Sequence, residues 1–143
     1  MMLIEESGMA IWKRLCDYQI DLEDRPGELA RLTSMMRAAD IGIIGIVTHG
    51  QRGGDTTITC VPESAEQFQD FLNSSEQKAT RGEVFLVMAP DSGGTLIQVM
   101  EHVAREGINI KNFHAVVIQG QFGCLVWPEE GSNDTLEQAL ASL

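Results

Sequence analysis

The chain has 143 residues, and its 21 acidic against 10 basic side chains give a formal net charge of -11. That balance argues against nucleic acid or an anionic membrane as partner, since both call for basic surface. No long apolar run is present, so no membrane-spanning helix is expected, and the acidic start Met1-Met2-Leu3-Ile4-Glu5-Glu6 leads into no signal-type segment. Cys16, Cys60 and Cys124 are odd in number and lie in strand-like contexts, which suits reduced thiols in a cytoplasm.

In chain order, residues 1–9 are expected to form a loose arm. Residues 10–22 form one long strand-like stretch with Ile11, Leu15, Tyr18, Ile20 and Leu22 as apolar members. Asp24-Arg25-Pro26-Gly27-Glu28-Leu29 then makes a tight turn into an amphipathic helix over 26–39. Proline tolerates the first helical position because its missing N–H would go unpaired there anyway. Glycine permits the sharp turn, and Asp24 can accept from the free N–H groups of the first turn. Leu29, Leu32 and Met36 mark the buried face, with Arg31, Ser34 and Arg37 outside. A strand over 41–49, a turn at 50–54 and a strand over 55–61 follow as a hairpin. Pro62 is expected to begin the next helix, buried through Ala65, Phe68, Phe71 and Leu72, and 73–81 is a polar connector.

The same pattern then recurs: strand 83–89, helix 94–106, strand 108–118, turn 119–121, strand 122–127 and a helix over 133–143. Asp24 meets Asp91, Leu29 meets Leu96, Leu32 meets Val99, Met36 meets Val103 and Ile41 meets Ile108 without a gap. After one deletion in a loop, Val61-Pro62-Glu63 meets Trp127-Pro128-Glu129. Turn, helix face, strand start and a later proline all agree, which marks an internal duplication. Each copy supplies strand-helix-strand-strand-helix, the start of a ferredoxin-like layout that lacks a fourth strand. In the repeat register, residues 10–14 correspond to 77–81, so each long strand has a front and a back half. The expectation is that each front half completes the neighbouring sheet, residues 10–15 serving the second copy and 77–83 the first.

A strand ending in Asp-Arg-Pro-Gly-Glu-Leu, a helix, and a strand opening with Ile-Gly-Ile or Ile-Asn-Ile together resemble the ACT domain, a small ligand-binding regulatory module. The first copy resembles it through Asp24, Arg25, Pro26, Gly27, Leu29 and Ile41. The second does so through Gly107-Ile108-Asn109-Ile110, with Ser92-Gly93-Gly94 in place of Arg-Pro-Gly. The resemblance implies an α+β chain of two ferredoxin-like ACT units, residues 10–76 and 77–143, with antiparallel sheets covered by helices on one face. It also implies sheets joined side by side, with small ligands, often amino acids, held near the first turn.

On that resemblance the candidate ligand-binding residues are Asp24, Arg25, Pro26 and Gly27 in the first turn, Asp91, Ser92, Gly93 and Gly94 in the second, and Asn109. The first N–H groups of a helix favour a carboxylate, and a polar side chain at the neighbouring strand can hold an ammonium group. Each of these residues also has a plainer role open to it. Asp24 fits a helix cap, Pro-Gly a simple turn, Asn109 an amide bonded to backbone, and Arg25 a subunit contact or solvent. Gly93-Gly94 is the more open turn, since glycines let a ligand approach the backbone.

Other chemistries on this layout lack their residues. Acyl phosphate hydrolysis wants an arginine and an asparagine clamping one phosphate, and Arg25 and Asn109 fall in different copies. Metal carriage wants Cys-x-x-Cys, and His49, His102 and His114 have no ligand spacing with any cysteine. Phe122-Gly123-Cys124-Leu125-Val126-Trp127 is faintly like an RNA-binding strand, without its basic residues. The reading is therefore a cytoplasmic, non-enzymatic regulator with no catalytic residue, metal or cofactor. It would sense a small molecule, an amino acid by preference, and pair as a homodimer or with a partner protein. The alternative is a ligand-independent assembly subunit of an enzyme or transcription regulator.

Overall fold

The computed structural model describes residues 10–50, 55–91 and 94–143; the expected arm at 1–9, the turn at 51–54 and Ser92-Gly93 lie outside them. The elements are β1 (Ile11–Glu23), α1 (Glu28–Ala38), β2 (Ile43–Gly50), β3 (Asp55–Pro62), α2 (Ala65–Ser75), β4 (Thr80–Pro90), α3 (Thr95–Arg105), β5 (Ile110–Ile118), β6 (Gln121–Pro128) and α4 (Asn133–Ala141). Pro62 closes β3 rather than opening a helix, and the polar connector is shorter than expected. The true start of α2 is Ser64, whose hydroxyl accepts from the Gln67 N–H at 3.2 Å.

The chain divides into two compact units. The first is Cys16–Glu83; the second is Val84–Leu143 together with the front of β1 as far as Leu15. Both long strands are therefore shared, and each unit has a complete set of four. In the first unit the strand order is β2-β3-β1-β4; in the second it is β1-β4-β6-β5. Each is the antiparallel ferredoxin-like order, with the fourth strand beside the first. The second unit draws its fourth strand from the start of the chain.

In the first unit, β1 pairs with β3 through Tyr18↔Cys60 and Ile20↔Ile58. Tyr18, Ile20, Leu22, Ile58 and Cys60 form one face of the core, closed by Leu32, Met36, Phe68, Phe71 and Leu72 from the helices. The Phe68 ring lies 4.8 Å from Tyr18 and 5.6 Å from Phe71, contacts worth about 1 kcal/mol beyond the area they bury. Leu29, expected inside, is 42% exposed: α1 starts two residues later than the Pro-Gly turn suggests, and its inward face begins at Leu32.

In the second unit, Phe85, Val87 and Ala89 of β4 pair with Val126, Cys124 and Phe122 of β6, packed beneath Val99, Val103, Leu136, Ala139 and Leu140. Trp12 packs on this core, its ring 6.5 Å from Phe85. Arg14 ion-pairs with Asp134 at 2.8 Å and Glu137 at 3.1 Å, both on α4. The front of β1 is thus tied to the second unit by packing and by charge. β5 is the outer strand there, and Lys111 to Ile118 are exposed on both faces, Phe113, Val116, Val117 and Ile118 among them.

Candidate functional site

The two turns that open α1 and α3 have the same backbone design. Gly27 (φ 90°) and Gly94 (φ 89°) stand at the N-caps in the left-handed region, which side chains disfavour, and a Cβ at either would meet nothing within 4 Å. Pro26 accordingly lies ahead of the cap, not inside the helix. Asp24 is exposed and caps nothing, since no side chain bonds the α1 N-terminus. The second copy reverses this: the Asp91 carboxylate accepts from the Leu96 N–H at 3.4 Å, and its own N–H donates to the Gly120 carbonyl at 2.6 Å.

The Arg25 side chain is 63% exposed and ion-paired within its own turn. Its guanidinium lies 3.1 Å from Glu23 and 3.2 Å from Glu28, and Arg31 also bonds Glu28 at 3.2 Å. Hydrogen bonding from Arg31, then the nearby charges of Arg31 and Arg25, hold the Glu28 carboxyl below its ordinary value. The positive end of the α1 dipole is thus already met by Glu28. α3 has no acidic residue in its first turn.

Asn109 does not join the second turn within its unit. β4 ends level with the start of β6 (Pro90↔Gln121), whereas the β5 start is level with the β6 end (Ile110↔Pro128). Asn109 and the Asp91–Gly94 turn therefore lie at opposite ends of the sheet, about 23 Å apart along the strands at ~3.3 Å per residue. The Asn109 carbonyl accepts from the Glu129 N–H at 2.9 Å, as Gly42 does from Glu63 at 2.9 Å in the first unit. Its exposed side chain makes no hydrogen bond among the described residues. Ser92 and Gly93 are outside the described residues.

A groove that the sequence did not suggest lies between the C-terminal end of α1 and β2. It encloses about 230 Å³ and is lined by Thr33, Met36, Arg37, Asp40, Ile41, Ile43 and Ile46. The helix ends there in a Schellman motif: the Ile41 N–H bonds the Met36 carbonyl and the Asp40 N–H bonds the Arg37 carbonyl, both at 3.0 Å. Asp40 occupies the left-handed position (φ 57°), where the second copy has Gly107 (φ 74°). A side chain there costs about 1–2 kcal/mol, somewhat less for Asp.

His102 and His114 each have partners within the second unit. His102 Nε2 lies 2.8 Å from the Ala139 carbonyl and 3.1 Å from Ser142 Oγ, and His114 stacks edge-on to Trp127 at 5.9 Å. Among the described residues no cluster of His, Cys, Asp and Glu could hold a metal ion, and no helix is long and apolar enough to cross a membrane.

No family model and no curated protein matches the chain by sequence. Among solved structures it is similar to protein BT0572 from Bacteroides thetaiotaomicron, at TM-score 0.78 and 15% identity over 90% of this chain and 88% of that one. It is also similar to the ligand-free regulatory subunit of aspartate kinase from Thermus thermophilus, at TM-score 0.63 and 14% identity, covering 93% of this chain and 95% of that one. E. coli aspartokinase III in complex with lysine and aspartate matches at TM-score 0.53 and 16% identity, over 93% of this chain and 32% of that one. The fold is of the tandem ACT type. On this ACT-type fold the α1–β2 groove is built from a helix end and a strand, and no local motif announces it. One signal was available in the sequence: the duplicated register sets Asp40 against Gly107.

Proposed function

We propose that this ACT-type chain is a non-enzymatic, cytoplasmic regulator that responds to a small molecule, an amino acid by preference. The observation that carries the reading is the pair of glycine turns at Gly27 and Gly94, each with free space where a side chain would stand. At the α3 start, whose first turn has no acidic residue, a ligand carboxylate would meet helix N–H groups and the positive end of the dipole. The amino-acid complex of the E. coli aspartokinase III neighbour supports the same ligand class. Asp24, Arg25, Pro26, Gly27, Asp91, Ser92, Gly93, Gly94 and Asn109 are proposed as contacts. Binding would act by favouring one packing of the units and so changing affinity for a partner protein. A thermal-shift screen against the common amino acids at millimolar concentration tests this. A ligand at ~100 times its dissociation constant adds roughly 2.7 kcal/mol of stability, and Gly94→Val is expected to remove the shift for a ligand bound at that turn. A clean screen with working controls refutes the sensor reading.

A second reading has one observation in its favour. β5 leaves Phe113, Val116, Val117 and Ile118 exposed along an outer strand, which suits a homodimer or an assembly subunit that pairs with another chain whether or not ligand is present. Light scattering of the purified protein, with and without added amino acids, separates ligand-dependent from ligand-independent association.

A further inference from the structure

We infer that the groove between α1 and β2 is an amino-acid site selective for apolar side chains, separate from the glycine turns and confined to the first unit. The inference rests on reading the chain as an amino-acid-responsive regulator.

The groove has an apolar floor and a rim of two opposite charges. Met36 is buried, Ile41 and Ile43 are half-buried, and Ile46 is exposed. Arg37 and Asp40 stand on the rim, three residues apart. Neither forms an ion pair or a side-chain hydrogen bond among the described residues, although both are charged and lie on one helix end. Such an unmade pair suits a zwitterion: a carboxylate on the guanidinium and an ammonium group on the carboxylate. Thr33 Oγ1 donates to the Leu29 carbonyl at 3.0 Å and has lone pairs that can accept in turn.

Size favours the same class. At about 230 Å³ the groove is below the ~300–1,000 Å³ of sites for drug-sized ligands. It holds the equivalent of about eight water molecules at ~30 Å³ each, close to the bulk of leucine, isoleucine or methionine. The isoleucine floor disfavours a charged side chain, whose burial there would lack a partner.

The duplication provides an internal control. In the second unit the positions of Thr33, Arg37 and Asp40 are held by Met100, Ala104 and Gly107, so the whole polar rim is missing from the repeat. Asp40 also sits in a left-handed conformation that its glycine counterpart adopts freely. An aspartate where the repeat has glycine places a carboxylate at the groove at a modest backbone cost.

The test is calorimetric titration of the full chain with leucine, isoleucine, methionine, lysine and aspartate. Two variants restore the second unit's residues, Arg37→Ala and Asp40→Gly. Isoamylamine and 4-methylpentanoate, each carrying one of leucine's two charges, serve as probes of the rim. The expected result is binding of the apolar amino acids, weakened at least tenfold by either rim variant and by removal of either ligand charge. Asp40→Gly relieves a backbone cost, so its loss of binding would come without loss of fold, read from its unfolding midpoint. Amino-acid binding that both rim variants leave unchanged overturns the groove site and leaves the sensor reading standing. Absence of binding by any amino acid overturns both.

Discussion

Arg14 offers a direct measure of how firmly the front of β1 belongs to the second unit. Its guanidinium reaches Asp134 and Glu137 on α4 and lies 5.7 Å from the centre of the Phe85 ring. Asp134 is 86% exposed, so that pair is largely screened, while Glu137 at 43% is only partly so. The two pairs together are worth about 0.5 kcal/mol, the ring contact about 0.5–1 kcal/mol, and the covered stem about 0.5–1 kcal/mol. Arg14→Ala should therefore cost roughly 2 kcal/mol, which at ~1.4 kcal/mol per tenfold raises the opening equilibrium of the second unit about 25-fold. Amide hydrogen exchange read by mass spectrometry resolves this by segment. Peptides from β6 and α4 should exchange about 25-fold faster, with a smaller change in α1 and β3. Unchanged protection in α4, or an equal loss in α1, would refute the assignment of residues 10–15 to the second unit.

Two further outcomes follow from the titrating groups. Burial pushes the Cys60 thiol up to about 11 and the Cys124 thiol up to about 12, so at pH 8 the native protein should react with iodoacetamide at Cys16 alone. Cys16 is half-buried and accepts a hydrogen bond from Arg81 at 3.0 Å; comparable labelling of a second thiol without denaturant would contradict the packing of both strands. Glu28 is held below its ordinary value of 4.5, so its paired turn favours folding above that pH, and the contribution is lost as pH falls through the lowered folded value. Arg31→Ala should move the Glu28 midpoint upward toward 4.5 in an NMR titration, and an unmoved midpoint would mean that Arg31 is not its main partner.

The duplication was legible because glycine, apolar spacing and proline recur in one register, and such patterns are set by local physics. The shared strands were legible for the same reason, since residues 10–14 had a counterpart at 77–81 and each copy was one strand short. Cap chemistry was less so. Asp24 and Asp91 are the same residue type at equivalent positions, yet only Asp91 bonds its helix, and in the first copy Glu28 and Arg25 rearrange the turn through ion pairs. Pro62 was misplaced because a proline suits a strand end as well as a helix start. The Ser64-x-x-Gln67 spacing was the signal that could have located α2. The groove at Arg37 and Asp40 was hidden because its walls come from a helix end and the strand beyond it.

The split ownership of β1 also sets an order of events as the chain is made. The first unit has all its strands once Glu83 has left the ribosome. The second inherits its earliest strand, the front of β1, beside β4, and waits for β5, β6 and α4 to be made. For that interval it is two strands short, and the edge of β4 is open to any strand of matching pattern. In vectorial synthesis, the first copy is a finished platform and the second is the step at which mispairing between chains can occur.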